Sequence, residues 1–159
     1  MIFVTVGHQM PFDRLIGAVD QWALARGRAD LFAQIGEGEY LPQWIAWAKF
    51  MPPEEFDRRV REATAIVGHA GTGTIIAGLR LGKPVLVLPR RSALGETRND
   101  HQFATARHFE KGGQIVVAWS EEEVPAALDR IESFHPQRRL ADVADPALTE
   151  RLRAFIWAA

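Results

Sequence analysis

Short apolar runs of strand length alternate with helix-length amphipathic stretches along this chain, and that alternation confines it to the α/β class with a parallel sheet. Ile2 to Val6 is the first run and stops at Gly7, the pattern of a strand covered on both faces. Further strands are expected at Asp30–Ile35, Ile45–Phe50, Ala65–Val67, Pro84–Leu88 and Ile115–Ala118. Leu15, Ile16, Val19, Trp22 and Ala23 recur at three- and four-residue spacing and predict a helix over Phe12–Ala25. Pro52 and Pro53 open a charged helix to about Ala63, Thr74–Leu81 is closed by Gly82, and Asn99–Lys111 is stopped by Gly112 and Gly113. Ser120 and Glu123 form a capping-box pair ahead of a helix over Glu121–Ile131. Leu148, Leu152, Phe155 and Ile156 predict a terminal helix near 147–157. The expected architecture is a Rossmann-like, doubly wound parallel sheet, with residues 1–159 forming one domain.

Charge and composition narrow the partners. Nineteen Lys plus Arg against twenty Asp plus Glu leave a formal net charge of -1, so no general field attracts nucleic acid or an anionic membrane. An anionic ligand must be held locally. There is no cysteine, hence no disulfide and no thiolate metal site, which suits a reducing compartment. The N-terminus lacks a basic region and reads as a strand, not a signal peptide. No window approaches the roughly 18 apolar residues of a membrane span. The expected location is cytoplasmic.

In a doubly wound sheet ligands bind at the carboxyl ends of the strands, which singles out the loops Gly7–Pro11, Gly68–Thr74 and Pro89–Asp100. Val67–Thr74, VGHAGTGT, joins a strand to a helix through three glycines and leaves backbone N–H groups open at the helix N-terminus, a geometry that cradles phosphate. Thr72 and Thr74 add hydroxyl donors and His69 a further one. The spacing fits neither a P-loop, because no Lys-Ser/Thr follows, nor G-x-G-x-x-G, because Ile76 takes the last glycine position. A purely structural turn, with glycine packing on the sheet, is the competing account.

Arg98–Gln102, RNDHQ, places amide, imidazole and carboxylate groups at a loop-to-helix junction after the next strand, groups that suit sugar hydroxyls. Asn99 with Gln102 also satisfies a capping box. His101 and His108 lack the further ligands a metal site needs, so no metal is expected. Arg90 and Arg91 either reach a phosphate or the partner or form a solvated pair at a strand end, and the sequence assigns neither. Tyr40, Trp44, Trp47, Phe50, Phe155, Ile156 and Trp157 are read either as core or as a partner interface.

HAGTGTIIAGLRLGKPVLVLPR followed by NDHQ resembles the C-terminal half of family 28 glycosyltransferases, and MIFVTVG with PFDRLI resembles the start of their free-standing donor subunits. Those subunits occur in the eukaryotic dolichol pathway and in bacterial exopolysaccharide or capsule synthesis. The resemblance covers roughly residues 1 to 120. It implies one half of a GT-B enzyme, with a UDP-sugar as donor substrate and no cofactor. Gly71, Thr72 and Gly73 would take the diphosphate, Asn99, Asp100, His101 and Gln102 the donor sugar, and Gly7, His8 and Gln9 the wall of the same cleft. Two positions depart from the family pattern. Ala77 stands where relatives often carry an acidic residue for the ribose, and His8 stands where they commonly have threonine.

The implied activity is that of a donor-binding catalytic subunit of a two-component, metal-independent, inverting transferase that extends a lipid-linked saccharide. A helix N-terminus can stabilise the departing diphosphate without a metal, and no Asp-x-Asp pair is present. The base is expected from His8 or from the missing acceptor half. A membrane-anchored, acceptor-binding partner would hold the chain at the inner face of the membrane. The alternative is a nucleotide-sugar-binding or scaffolding protein without catalysis.

Overall fold

In the computed structural model, residues 1–141 and 143–157 are described. Six strands form one sheet: β1 (Ile2–Thr5), β2 (Leu31–Gln34), β3 (Ala46–Ala48), β4 (Ala65–His69), β5 (Val85–Leu88) and β6 (Val116–Val117). Every pairing is parallel and the order is β3-β2-β1-β4-β5-β6, the arrangement of a Rossmann sheet. Crossover helices α1 (Asp13–Arg26), α2 (Pro53–Glu62), α3 (Thr72–Arg80) and α4 (His101–Lys111) connect the parallel strands, except that β2 reaches β3 through a loop, and α5 (Val124–Ile131) follows β6. A sixth helix, α6 (Pro146–Trp157), follows.

The period-2 geometry of the strands sorts side chains between two cores. Ile2 and Val4 of β1, Val67 of β4 and Leu86 and Leu88 of β5 face α1 and α5, where they pack with Leu15, Ile16, Val19, Leu128 and Ile131. Phe3, Ile66, Val85 and Val87 face α2, α3 and α4 and pack with Val60, Ile75, Leu79 and Ala106. Burial of a side chain of this size stabilises by about 1.5–3 kcal/mol, so the two layers carry the fold. Gly68 is required where β4 passes β1, since a Cβ there would lie 2.8 Å from the carbonyl oxygen of Thr5.

Element bounds shift from the sequence expectation in instructive ways. The strand expected over Ile45–Phe50 pairs only across Ala46–Ala48, and α3 begins at Thr72, two residues early. Neither capping box closes. Gln102 turns its carbonyl oxygen to the Arg90 backbone N–H at 3.1 Å instead of back to Asn99, whose Oδ1 accepts from His101 N at 3.2 Å. Glu123 reaches one residue past Ser120 to the N–H of Trp119 at 2.9 Å, and the helix starts with a 3₁₀ turn over Glu121–Glu123.

The aromatic residues divide by environment. Tyr40 and Trp47 pack against the α1-side core, while the Trp44 indole donates to the carbonyl of Arg28 at 2.8 Å. Phe50 stays exposed against His8. No described residue of α6 is buried, and Phe155, Ile156 and Trp157 are 77%, 65% and 85% exposed.

Candidate functional site

The crossovers after β1 and β4 leave opposite faces of the sheet, so the loops at their carboxyl ends diverge and open a crevice. There the loop Gly7–Pro11, the turn Ala70–Gly73 and the segment after β5 enclose a cleft of about 440 Å³. Gly7 enters it with φ 77, a left-handed conformation that favours glycine, and a Cβ there would press to 2.9 Å from the His69 ring. Beneath it, Thr5 Oγ1 donates to Gln34 Oε1 at 2.7 Å and accepts from Gly7 N at 3.3 Å, which seats the loop on β1 and β2.

The Gly-rich turn has the open form expected of it. Gly71 is the N-cap residue of α3, with no side-chain cap bond, so the first N–H groups of the helix lack intrahelical partners. A Cβ on Gly71 would collide with the His69 imidazole, whereas at Gly73 nothing lies within 4 Å. Thr72 faces the cleft, but Thr74 does not: its methyl packs beneath the turn, 3.1 Å from a Cβ built on Gly68.

Of the residues the sequence singles out, Gly7, His8, Gln9, His69, Gly71, Thr72, Gly73, His101 and Gln102 line this one cleft. Thr74, Asn99 and Asp100 do not. Asn99 is spent on His101, bonding both its backbone N–H and its ring nitrogen Nδ1. Asp100 accepts from the N–H of Ser92 at 2.8 Å. Both shape the loop ahead of α4. His8 stacks on Phe50 with ring centroids 6.4 Å apart. Ala77 lines a separate concavity with Asp57, Val60 and Arg61, so the position of the missing acidic residue is turned away from this cleft.

Sequence reasoning missed Met10, Glu96, Thr97 and Thr105 as lining residues and left Arg90, which also lines the cleft, unassigned. Of the readings open for Arg90 and Arg91, the solvated one fails at Arg90, which is only 4% exposed. Its guanidinium donates to the carbonyls of Val6, Met10, Pro11 and Glu96 at 2.7, 2.8, 2.7 and 3.0 Å and lies 4.5 Å from the Phe12 ring centroid. An Arg two residues past a strand's carboxyl end was the available signal. The carboxylate of Glu96 is committed elsewhere, to Arg14 at 2.8 and 2.9 Å and to the N–H of Arg91 at 2.8 Å.

Burial decides the electrostatics. The His69 imidazole is pushed down to about 4 by desolvation and by the charge of Arg90, so it is neutral at physiological pH. Its Nδ1 is buried without a hydrogen-bond partner. Burial likewise lowers Arg90 to about 10, partly offset by Glu96, and it remains a cation. Among the described residues no group of three metal-binding side chains occurs.

A Rossmann sheet with an open helix N-terminus on one side of its switch point, and amide and imidazole groups on the other, is the arrangement this cleft presents. Solved structures share this fold: the glycotransferase of kitacinnamycin (TM-score 0.61, 23% identity, 96% of this chain and 37% of that one) and CalG4, the calicheamicin glycosyltransferase (TM-score 0.58, 18% identity, 96% and 36%). The solution structure of ALG13 aligns with a TM-score of 0.60 at 21% identity, over 95% of this chain and 93% of that one. The architecture is that of one half of a GT-B glycosyltransferase.

The model of the glycosyltransferase family 28 C-terminal domain matches residues 1–152, and the chain belongs to that family. It is similar to the human UDP-N-acetylglucosamine transferase subunit ALG13, 28% identical over 124 residues, covering 72% of this chain and 10% of that protein. The subunit of the same name from Cryptococcus neoformans is 36% identical over 70 residues, 43% of this chain and 33% of that protein. The chain thus spans about a tenth of the length of its human and mouse relatives.

Proposed function

We propose that this chain is the donor-binding catalytic subunit of a two-component glycosyltransferase that uses a UDP-sugar. The observation that carries the reading is the open space over Gly73, where the α3 N-terminus meets a cleft walled on its far side by His101 and Gln102. The helix N-terminus offers partial positive charge where the departing UDP accumulates negative charge, which makes transfer without a metal ion physically sufficient. Gln102 has its oxygen committed to the Arg90 N–H, so its amide nitrogen is the group it offers a sugar hydroxyl or phosphate oxygen, as a donor.

The base that deprotonates the acceptor comes from His8 or from the partner. His69 is buried and Glu96 is engaged by two arginine residues, whereas the imidazole of His8 stands exposed at the rim. The exposed apolar stripe of α6, Leu148, Leu152, Phe155 and Ile156, is the surface for a membrane-anchored, acceptor-binding subunit. The relatives' designation as transferase subunits supports a partnered enzyme. The acceptor is a lipid-linked saccharide of exopolysaccharide or capsule synthesis, the outcome at the anomeric carbon is inversion, and the complex works at the cytoplasmic face of the membrane. Among the described residues no helix is long and apolar enough to cross a membrane.

Titration calorimetry with UDP and UDP-sugars, with and without magnesium, tests the donor site. Metal-independent binding that is lost in Gly73→Asp is the expected result. Absence of binding by both the chain and its reconstituted complex would sink the reading.

A further inference from the structure

Arg90 sits where three walls of the cleft meet. Its side chain reaches Val6, Met10 and Pro11 in the loop after β1 and Glu96 in the loop after β5, and its backbone N–H holds Gln102 on α4. All four guanidinium acceptors are carbonyl oxygens, and the flat group stacks on Phe12 at 4.5 Å. Only a planar fork with several donors in fixed directions spans four carbonyls on two segments; a lysine ammonium is a point charge with three donors and cannot. The Glu96 carboxylate bonds Arg14 and the N–H of Arg91, and among the described residues no carboxylate is hydrogen-bonded to the Arg90 guanidinium.

We propose that Arg90 is the positioning residue of this cleft: its buried guanidinium clamps the Gly7–Pro11 loop to the β5–α4 loop and keeps an unpaired positive charge behind His69 and the Gly-rich turn. The clamp sets the height of the Gly7–Gln9 wall over the diphosphate position, and the charge favours an anionic ligand there. The inference rests on the donor-site reading for its ligand, while the clamp itself is a property of the empty protein. The lowered pKa of His69 agrees with a cation close behind it. Because Arg90 acts through the loops it holds, the measurements that bear on it are loop mobility and the titration of His69 as well as affinity.

The test compares wild type with Arg90→Met, which removes fork and charge, and Arg90→Lys, which keeps the charge alone. Phe12→Leu, which removes only the stacked ring, serves if either variant fails to fold. Three readouts are taken: amide hydrogen exchange over Gly7–Met10, the NMR titration of His69, and UDP affinity by calorimetry. Both Arg90 variants are expected to speed exchange in this loop by tenfold or more and to weaken UDP binding by at least tenfold. The His69 titration moves back toward 6.5 in Arg90→Met and stays lower in Arg90→Lys. Phe12→Leu is expected to act in the same direction on exchange and affinity.

Exchange and affinity within twofold of wild type in the folded variants would overturn the clamp, and so would full rescue of both by lysine. If wild type binds no UDP, with or without its partner, while exchange and the His69 titration respond as stated, the donor-site reading fails and the clamp stands.

Discussion

The backbone N–H of Arg90 donates to Oε1 of Gln102 at 3.1 Å, and through this bond the end of β5 sets the orientation of a side chain on α4. Both residues are buried, at 4% and 5% exposure, so neither partner finds water as a substitute. The bond fixes which end of the Gln102 amide is left for a ligand. It also leaves Asn99 to bond His101 alone at the head of α4.

Gln102→Met leaves the Arg90 N–H buried and unpaired. A loss of about 1–3 kcal/mol in urea unfolding is expected. Gln102→Glu restores an acceptor and most of the stability, but places a negative charge in the cleft and removes the amide donor. Its UDP affinity should fall well below that of wild type, and equal affinities would show that Gln102 does not face the ligand.

Gly73→Asp should fold as wild type does, because nothing lies within 4 Å of the added Cβ. The new carboxylate occupies the open N-terminus of α3, and UDP binding should drop by more than tenfold in calorimetry. Gly71→Ala behaves differently, since its methyl displaces the His69 ring. It is expected to lower the melting temperature as well.

His69 links stability to pH. Burial and the Arg90 charge hold it at about 4 in the folded protein, against 6.5 for an ordinary histidine. The unfolded chain therefore takes up the proton first. The stability is complete above pH 6.5 and falls as pH drops toward 4, by roughly 3 kcal/mol from this residue. His69→Gln should flatten that part of a stability-pH curve. Bound UDP, by its negative charge, should raise the His69 pKa, as NMR titration of the ring would show.

Asp20, on α1 against the loop that leads into β3, is a second acid-sensitive point. Buried at 4% exposure, it accepts from Tyr40 Oη and from the backbone N–H groups of Gln43, Trp44 and Ile45 at 2.9 to 3.1 Å. Desolvation opposes its charge, but these bonds prevail and hold its pKa below 3.8. Its contribution is present above that pH and is lost as pH falls through the depressed value. Asp20→Ala frees the loop leading into β3 and should cost about 2–4 kcal/mol in denaturant unfolding.

Ending the chain after Asp145 removes α6, none of whose described residues is buried. The melting temperature should move by no more than a degree or two, while association with the proposed acceptor-binding subunit is abolished. A large loss of stability would mean that α6 belongs to this domain's own core.

Much of this architecture was legible from local pattern. Ile2–Val6 and Pro84–Leu88 announce buried strands, Leu15 to Ala23 announce one stripe of α1, and the glycines of Val67–Thr74 announce an open turn. These signals depend on spacing along the chain, because side-chain direction repeats every two residues in a strand and every 3.6 in a helix. What spacing does not contain is which polar groups end up beside one another across the sheet. Arg90 and Arg91 are chemically identical neighbours, yet the first is buried under four carbonyls and the second bonds the carbonyl of Trp119 at 3.1 Å. Asn99, Asp100 and Gln102 read as one polar cluster, but the turn into α4 sends the first two into loop bonds and only the third into the cleft. The local pattern determined the elements and the open Gly-rich turn; the packing of segments distant in sequence, 84 residues apart for Arg90 and Val6, decided which side chains line the cleft, since burial and hydrogen-bond partners are properties of the assembled fold.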